Sequence, residues 1–351
     1  MYTLLTKIEN IKASSFRIDK KNNYLYINKD NSVFLFDGLN LKIAFESTSK
    51  LMVSLIYEDE IWIANLSDGN TKIYKSRIII KEVDFITTIN REIDNFLANN
   101  NIVTQTYFNG NFSQKYYTKI NLIDKSIIKK YDKLGFNGIY QVLNDDLFLS
   151  QNNKKIGLFD FENNLIWQHT YSDLLGLENP DIIGLYSDII KIEDSIYLYL
   201  AGRDKNNDNQ GTFCIDTETG KTKHIYKNII SFSYPEGDLL YNLHNNKLNI
   251  LNTITQEIET IDFSEELKKY NIETDSKFAV QNGLIYFSQS MGDIVSKIGI
   301  LSPKEKKLLW KYEFPKGSGQ VGNLQVQGNR IYAHTQDKTL HIFEKTQNET
   351  V

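Results

Sequence analysis

Along most of the chain, apolar and polar residues alternate in short runs separated by polar turns. A period of two marks β-strands, because successive side chains leave a pleated backbone on opposite faces. One unit recurs: a polar turn, then aliphatic and aromatic residues in strand order. It appears as NYLYIN (23–28), EIWIAN (60–65), NIVTQTYF (101–108) and DLFLSQ (146–151). It returns as SIYLYL (195–200), DLLYNL (238–243), GLIYFS (283–288) and RIYAHT (330–335).

The spacing of these segments carries more than their composition. Taking the first residue after each turn as a marker gives Tyr24, Ile61, Ile102, Leu147, Ile196, Leu239, Leu284 and Ile331. The intervals are 37, 41, 45, 49, 43, 45 and 47 residues, and counting on through the C-terminus to Tyr24 gives 44. A period of about 40–50 residues is that of a propeller blade. Each unit can be filled to four strands. A second polar loop leads to segments such as SVFLFD, KIGLFDF, GTFCIDT and SKIGILS, and a third turn to segments such as LKIAFES, KTKHIYK and LLWKYEF. One further strand precedes each marker. The expected fold is all-β: one β-propeller over residues 1–351 with eight four-stranded blades, or seven if the unit around SRIIIKEVDFI is not a blade. The segment after Ile331 lacks a fourth strand, and YTLLTKI (2–8) is expected to supply it, closing the last blade with the N-terminal strand.

Helix signals are few. The segments 86–98 (ITTINREIDNFLA) and 263–271 (FSEELKKYN) are read as short helices in connectors, with Thr88 and Ser264 as N-caps. A third long connector spans 172–186.

At the level of residues, CIDTETGKTKHIYK (214–227) resembles the repeat of the pyrroloquinoline-quinone-type (quinoprotein-like) β-propellers. That repeat runs through a hydrophobic strand, Asp, a turn, Thr-Gly-Lys and a strand bearing an aromatic. LFDFENNLIWQHTY (158–171) and ILSPKEKKLLWKYEF (300–314) echo it, with Trp167 and Trp310 near the tryptophan position, and LFDGLNLKIAFES (35–47) echoes it more faintly. The resemblance implies a propeller, commonly of eight blades. A quinone cofactor, as bound by the family's enzymes, would need stacking partners, charged contacts and usually a cation. Those enzymes are typically exported and several carry a vicinal disulfide, whereas this chain has a single cysteine. The three tryptophans (Trp62, Trp167 and Trp310) fall one per blade, as packing residues do. No cofactor is expected.

Composition narrows the remaining classes. The chain has 351 residues, and single cores stop growing near about 250–300 residues. A one-domain fold of this length therefore needs a repeating architecture. Net charge is −4, without the basic stripe that neutralises nucleic-acid phosphates. No apolar run approaches the roughly 18 residues of a membrane helix. One cysteine, Cys214, and an N-terminus interrupted by Lys7 and Glu9 lead to the expectation of a cytoplasmic protein.

Candidate chemistry is sparse. The five histidines (His169, His224, His244, His334 and His341) form no H-x-x-x-H or H-E-x-x-H set. The loop RDKNNDNQG (203–211) places Asp204, Asn206 and Asp208 at alternate positions, like the opening of a calcium loop. It departs from that pattern with Asn209 at the glycine position and Ile215 at the twelfth. No G-x-S-x-G elbow occurs. The turns say more. Those before the marker strands collect Glu58, Asp59, Glu60, Asp145, Asp146, Glu193, Asp194, Glu236 and Asp238 on one face, while the next turns are mixed to basic. The expectation is a non-enzymatic, protein-binding propeller whose acidic face docks a basic partner, such as a bacterial immunity protein neutralising a toxin. The alternative is an enzyme or small-ligand binder, for sugar or quinone, using a central channel.

Overall fold

The computed structural model describes the chain apart from residues 13–15, 20–23, 30–31, 47–49, 58–59, 68–69, 78–81, 90–92, 99–100, 109–110, 122–126, 132, 145, 206, 275–276, 290–295 and 347–351; between 50 and 116 the description is of the backbone. Among the described residues the strands form eight antiparallel sheets, seven of four strands and one of five. Within every sheet the strands follow chain order up and down, apart from sheet 8 and the split first strand of sheet 5.

The chain divides into two compact units. One unit, Ser14–His169, holds sheets 1 to 4. Sheet 1 comprises Phe16–Asp19, Tyr24–Lys29, Ser32–Phe36 and Leu41–Glu46. Sheet 2 comprises Lys50–Tyr57, Glu60–Ser67, Asn70–Arg77 and Glu82–Ile89. Sheet 3 comprises Ile93–Ala98, Asn101–Phe108, Asn111–Asn121 and Ile127–Tyr131. Sheet 4 comprises Gln141–Val142, Leu147–Gln151, Lys155–Asp160 and Leu165–Thr170.

The other unit, Met1–Ala13 with Thr170–Val351, holds sheets 5 to 8. In sheet 5 the first strand is split into Ile182–Leu185 and Ile190–Ile192, both paired with Ser195–Arg203, and Asp208–Asp216 and Thr222–Tyr226 follow. Sheet 6 comprises Ser233–Glu236, Leu239–His244, Lys247–Asn252 and Ile258–Asp262. Sheet 7 comprises Phe278–Gln281, Leu284–Gln289, Lys297–Ser302 and Lys307–Glu313. Sheet 8 comprises Val321–Gln327, Arg330–Thr335 and Leu340–Lys345, with Tyr2–Ile8 as its outer strand. All eight markers therefore stand at the first or second residue of the second strand of a sheet.

Alternation explains how the sheets of the second unit pack. In Leu284–Gln289, Ile285 and Phe287 join a core with Leu243, Leu248 and Phe278 of sheets 6 and 7. Tyr286, between them, turns to the other face and joins Phe343, Ile331 and Tyr2 of sheet 8. Tyr197 and Cys214 of sheet 5 likewise meet Leu240 and Leu251 of sheet 6. Sheets 6 and 7 are thus each buried on both faces, as their continuous apolar centres demand.

The outer strand of sheet 8 is supplied by the N-terminal segment, as the unpaired ending required. Tyr2 pairs with Lys345 and Ile8 with Leu340. The Trp310 indole N–H donates to the Tyr2 carbonyl at 3.0 Å, and the Ile11 N–H to the Lys338 carbonyl at 2.8 Å. Trp310 and Trp167 are packing residues of outer strands; the Trp62 side chain lies outside the described residues.

Two helix expectations change. Segment 86–98 is not helical: Glu82–Ile89 completes sheet 2 and Ile93–Ala98 begins sheet 3, with Thr88 opposite Lys72 rather than at an N-cap. Its run of β-branched residues (Ile86, Thr87, Thr88, Ile89, Ile93) favours strand, because branching at Cβ restricts χ1 against a helical turn. The second expected helix is present but shorter, and the connector 172–186 holds a helix and a strand. Helix α1 is Tyr171–Leu175, capped by Thr170 and ended by Gly176 at φ 65°. Helix α2 is Ser264–Lys268. Ser264 is its first residue rather than its cap, and its N–H is taken by Asp262 Oδ1 at 2.8 Å.

Candidate binding surface

In a sheet that runs up and down, the turn after the first strand and the turn before the outer strand lie at the same end. Three backbone bonds tie these turns together. Phe161 N–H donates to the Asp146 carbonyl at 3.1 Å, Thr217 to Asp194 at 2.8 Å and Thr253 to Asp238 at 2.9 Å. The carbonyl of the acidic turn residue is fixed in each case, so its carboxylate is displayed from a braced backbone.

The aspartate of the repeat motif has a separate task. Asp216 Oδ1 accepts the Thr219 N–H at 2.7 Å, Asp160 Oδ1 that of Asn164 at 2.8 Å, and Asp37 Oδ1 those of Leu39 and Asn40 at 2.9 and 2.8 Å. Asn252 Oδ1 does the same for Ile254 and Thr255 at 2.9 and 3.0 Å. In each turn a short side chain replaces a backbone acceptor, and at Asp37 and Asn252, which reach the N–H two residues on, the arrangement is an Asx turn. The bonds to backbone N–H groups hold the Asp37 and Asp216 carboxyls well below the usual carboxylate range. The motif thus encodes a turn rather than a ligand site.

The nominated acidic residues divide by role. Glu58, Asp59 and Asp145 lie outside the described residues, and Glu60 is described by its backbone alone at the start of its strand. Asp146 is exposed on sheet 4. Glu193 (φ 49°) and Asp194 are exposed on sheet 5 and Asp238 on sheet 6. Asp194 is partly neutralised: its Oδ2 lies 3.1 Å from Lys223 Nζ, which also sits 2.9 Å from Asp216. Its carboxyl is lowered by that lysine and by the Ser195 hydroxyl. Glu236 is used internally. Its two carboxylate oxygens accept the N–H groups of Asn282 at 2.5 Å and Gly283 at 2.8 Å. It therefore ties the first turn of sheet 6 to that of sheet 7, as Gln281 ties sheet 7 to the Gly328 carbonyl of sheet 8 at 2.7 Å.

The third turns add groups that the sequence reading did not assign to this end: Glu218 and Lys221 on sheet 5, and Lys304, Glu305 and Lys306 on sheet 7. In this unit the outward carboxylates concentrate on sheets 5 and 6, at Glu193, Asp194, Glu218 and Asp238. Recognising that outer turns return to the same end as first turns would have placed Glu218 from the sequence.

The other candidates are occupied structurally. Asp208 is gripped by Arg203 through Nε at 2.6 Å and Nη2 at 3.1 Å, and Asp204 Oδ1 accepts the Asn207 N–H at 2.8 Å; Asn206 is outside the described residues. Among the described residues no three His, Cys, Asp or Glu side chains converge as metal ligands would. Cys214 is buried. His334 Nε2 lies 2.6 Å from the Ile11 carbonyl. His341 Nε2 lies 3.1 Å from Thr335 Oγ1, whose hydroxyl donates to Asp337 at 2.7 Å. That trio has the residue types of a nucleophile and its base, but Thr335 has no exposed surface.

No family model matches the chain, and no curated protein matches it in sequence. Solved structures do match in fold. BamB from Moraxella catarrhalis aligns over 98% of this chain and 100% of its own, at 13% identity and a TM-score of 0.57. Sqt1 from Chaetomium thermophilum, solved bound to the N-terminus of ribosomal protein L10, aligns over 97% and 99%, at 11% identity and a TM-score of 0.63. Both are β-propellers, and with the all-β sheets described above the likeness identifies the fold of this chain as a β-propeller.

Proposed function

We propose that this propeller is a binding platform for another protein, engaged through the braced turns of sheets 5 and 6. The observation that carries the proposal is the set of exposed carboxylates at Glu193, Glu218 and Asp238, on turns whose backbone is already tied in place. Preformed loops lose little conformational entropy on association. Clustered charge of one sign speeds encounter with, and selects for, a partner segment of the opposite sign. Sqt1, held with a segment of L10, supports protein segments as ligands for this fold. The finer proposal is a cytoplasmic immunity protein of a bacterium, with a basic toxin as partner; the single cysteine supports a reducing compartment. The quinoprotein-like repeat is retained as a proposal about ancestry, supported by the turns that the Asp37, Asp160 and Asp216 side chains hold through backbone N–H groups.

The test is capture of the partner from the native host by the parent chain and by a Glu193→Lys, Asp238→Lys variant. The partner should be basic, its capture should weaken with salt, and the variant should lose most of it through a slower association rate. Equal capture by both chains would refute the acidic surface. An adjacent gene whose product is toxic alone and harmless with this chain would support the immunity version.

A further inference from the structure

Sheet 5 has a feature that the other sheets of its unit lack. Its central hairpin has nine residues in each strand, Ser195–Arg203 and Asp208–Asp216, against six in the corresponding strands of sheets 6 and 7. Three extra residues carry the hairpin roughly 10 Å further. The overhang lies at the second-turn end, opposite the acidic turns. The short strand Ile182–Leu185 pairs with it, placing Ile182 opposite Arg203 and Gly184 opposite Ala201.

One face of the overhang is sealed. A Cβ on Gly202 would lie 2.8 Å from Leu177 Cδ1 and 3.1 Å from Leu175 Cδ1, so the end of α1 and its following loop press directly on that backbone. Residue alternation then puts Ala201, Arg203, Asp208 and Gln210 on the other face, paired Ala201 with Gln210 and Arg203 with Asp208. There the surface forms a hollow of about 340 Å³ lined by Ile182, Tyr186, Ala201, Arg203, Asp208 and Gln210.

The groups around the hollow match one class of ligand. Arg203 and Asp208 neutralise each other through paired bonds, so the site favours neither a cation nor an anion. The Tyr199 hydroxyl donates to Gln210 Oε1 at 2.7 Å, which fixes the amide and turns its N–H side away from that oxygen. Tyr186 is 46% exposed, and its ring stands 6.5 Å from that of Tyr199. Ala201, small and set between these groups, leaves the space unfilled. An exposed aromatic face suits ring C–H groups, while a planar carboxylate, guanidinium and amide offer donors and acceptors to neighbouring hydroxyls. A volume at the lower end of ligand pockets, about 300–1,000 Å³, fits one or two sugar rings. We infer that this hollow is a binding site for a neutral carbohydrate, separate from the protein-binding surface.

The test uses ligand-observed NMR on the full chain with glucose, galactose, mannose, N-acetylglucosamine and their common disaccharides as probes. At least one should bind saturably, with a dissociation constant near the millimolar range, about 1 mM. Tyr186→Ala should weaken it by about tenfold or more, the loss of one stacked ring. Ala201→Phe should abolish binding by filling the hollow, and Tyr186→Ala, at an exposed position, keeps the test open should the phenylalanine variant not fold. Inorganic phosphate and lysine amide should not compete. The inference is overturned if no saccharide binds up to about 50 mM, well beyond the weak-affinity range. It is also overturned if binding survives both variants, or if a charged probe displaces the sugar. Partner capture at the opposite end of the sheet is a separate readout, so either result can fail alone.

Discussion

Replacing Tyr2 by alanine tests how much of sheet 8 depends on the strand from the N-terminal segment. The ring is 9% exposed, meets Tyr286 edge-on at 6.3 Å and lies 5.6 Å from the Trp310 ring. Truncating a buried aromatic to alanine costs about 3–5 kcal/mol. Tyr2 stands at the strand's first residue, where the backbone can relax into the gap, so about 2–4 kcal/mol is expected. Its hydroxyl adds little, since it lies 3.3 Å from the Tyr286 hydroxyl. Tyr2→Phe, which keeps the ring, should therefore cost only about 0.5–1 kcal/mol. Urea unfolding followed by far-UV circular dichroism gives the difference as a shift of midpoint at constant slope. A chain lacking residues 1–9 should be destabilised further and should regain stability when a peptide of residues 1–12 is added. If Tyr2→Ala unfolds within about 0.5 kcal/mol of the parent, an effect typical of a neutral surface change, the pairing carries no share of stability and the reasoning fails.

Asn252→Ala should cost about 1 kcal/mol by removing the acceptor for two turn N–H groups, whereas Asn252→Asp should be tolerated, because aspartate does the same work at residues 37, 160 and 216. Thermal unfolding of the two variants separates these outcomes. Glu236→Ala should cost about 1–2 kcal/mol, because two N–H groups of the neighbouring sheet lose a charged acceptor, while Asp238→Ala, at an exposed position two residues on, should leave the melting temperature unchanged. His341 is 2% exposed, and burial, with Lys7 and His334 adding to it against Asp337, lowers its pKa from 6.5 to about 4. Its folded pKa is below its unfolded one, so the contribution of neutral His341 is complete above about pH 6.5 and is lost as pH falls toward 4. The expected loss is on the order of 1–3 kcal/mol over that interval, and a His341→Gln variant should show a flatter stability profile there. Parallel profiles for the two chains would contradict this.

How far the sequence could be read differed between fold and site. The marker strands were legible because each combines a turn with alternation, both local signals. Segment 86–98 was misread because aliphatic residues at positions 86, 89, 93 and 97 also fit a helical face, and only its density of β-branched residues argued for strand. Asp146, Glu193, Asp194 and Asp238 stand in the turns before their marker strands, whereas Glu60 and Glu236 belong to strands and Glu58, Asp59 and Asp145 lie outside the described residues. Their division of labour was not legible, since Glu236 finds its acceptor role with Asn282 and Asp194 meets Lys223, partners fixed only by folding. The hollow on sheet 5 did leave a trace. SIYLYLAGR and DNQGTFCID are the longest matched pair of strands in their unit, and that excess length is what the extra strand and the hollow are built on.

The pairing of Tyr2–Ile8 with Leu340–Lys345 also governs the order of events during synthesis. The first of these strands leaves the ribosome about 330 residues before its partner. At about 5–20 residues per second it waits for roughly 15–70 s with its edge and its apolar face unpaired. A nascent neighbour on the same messenger presents the same vacancy, and its Leu340–Lys345 strand accepts any copy of Tyr2–Ile8. Exchange of this strand between chains gives a dimer with every native contact kept, so crowded polysomes and concentrated refolding should yield swapped pairs, whereas dilute refolding yields monomers.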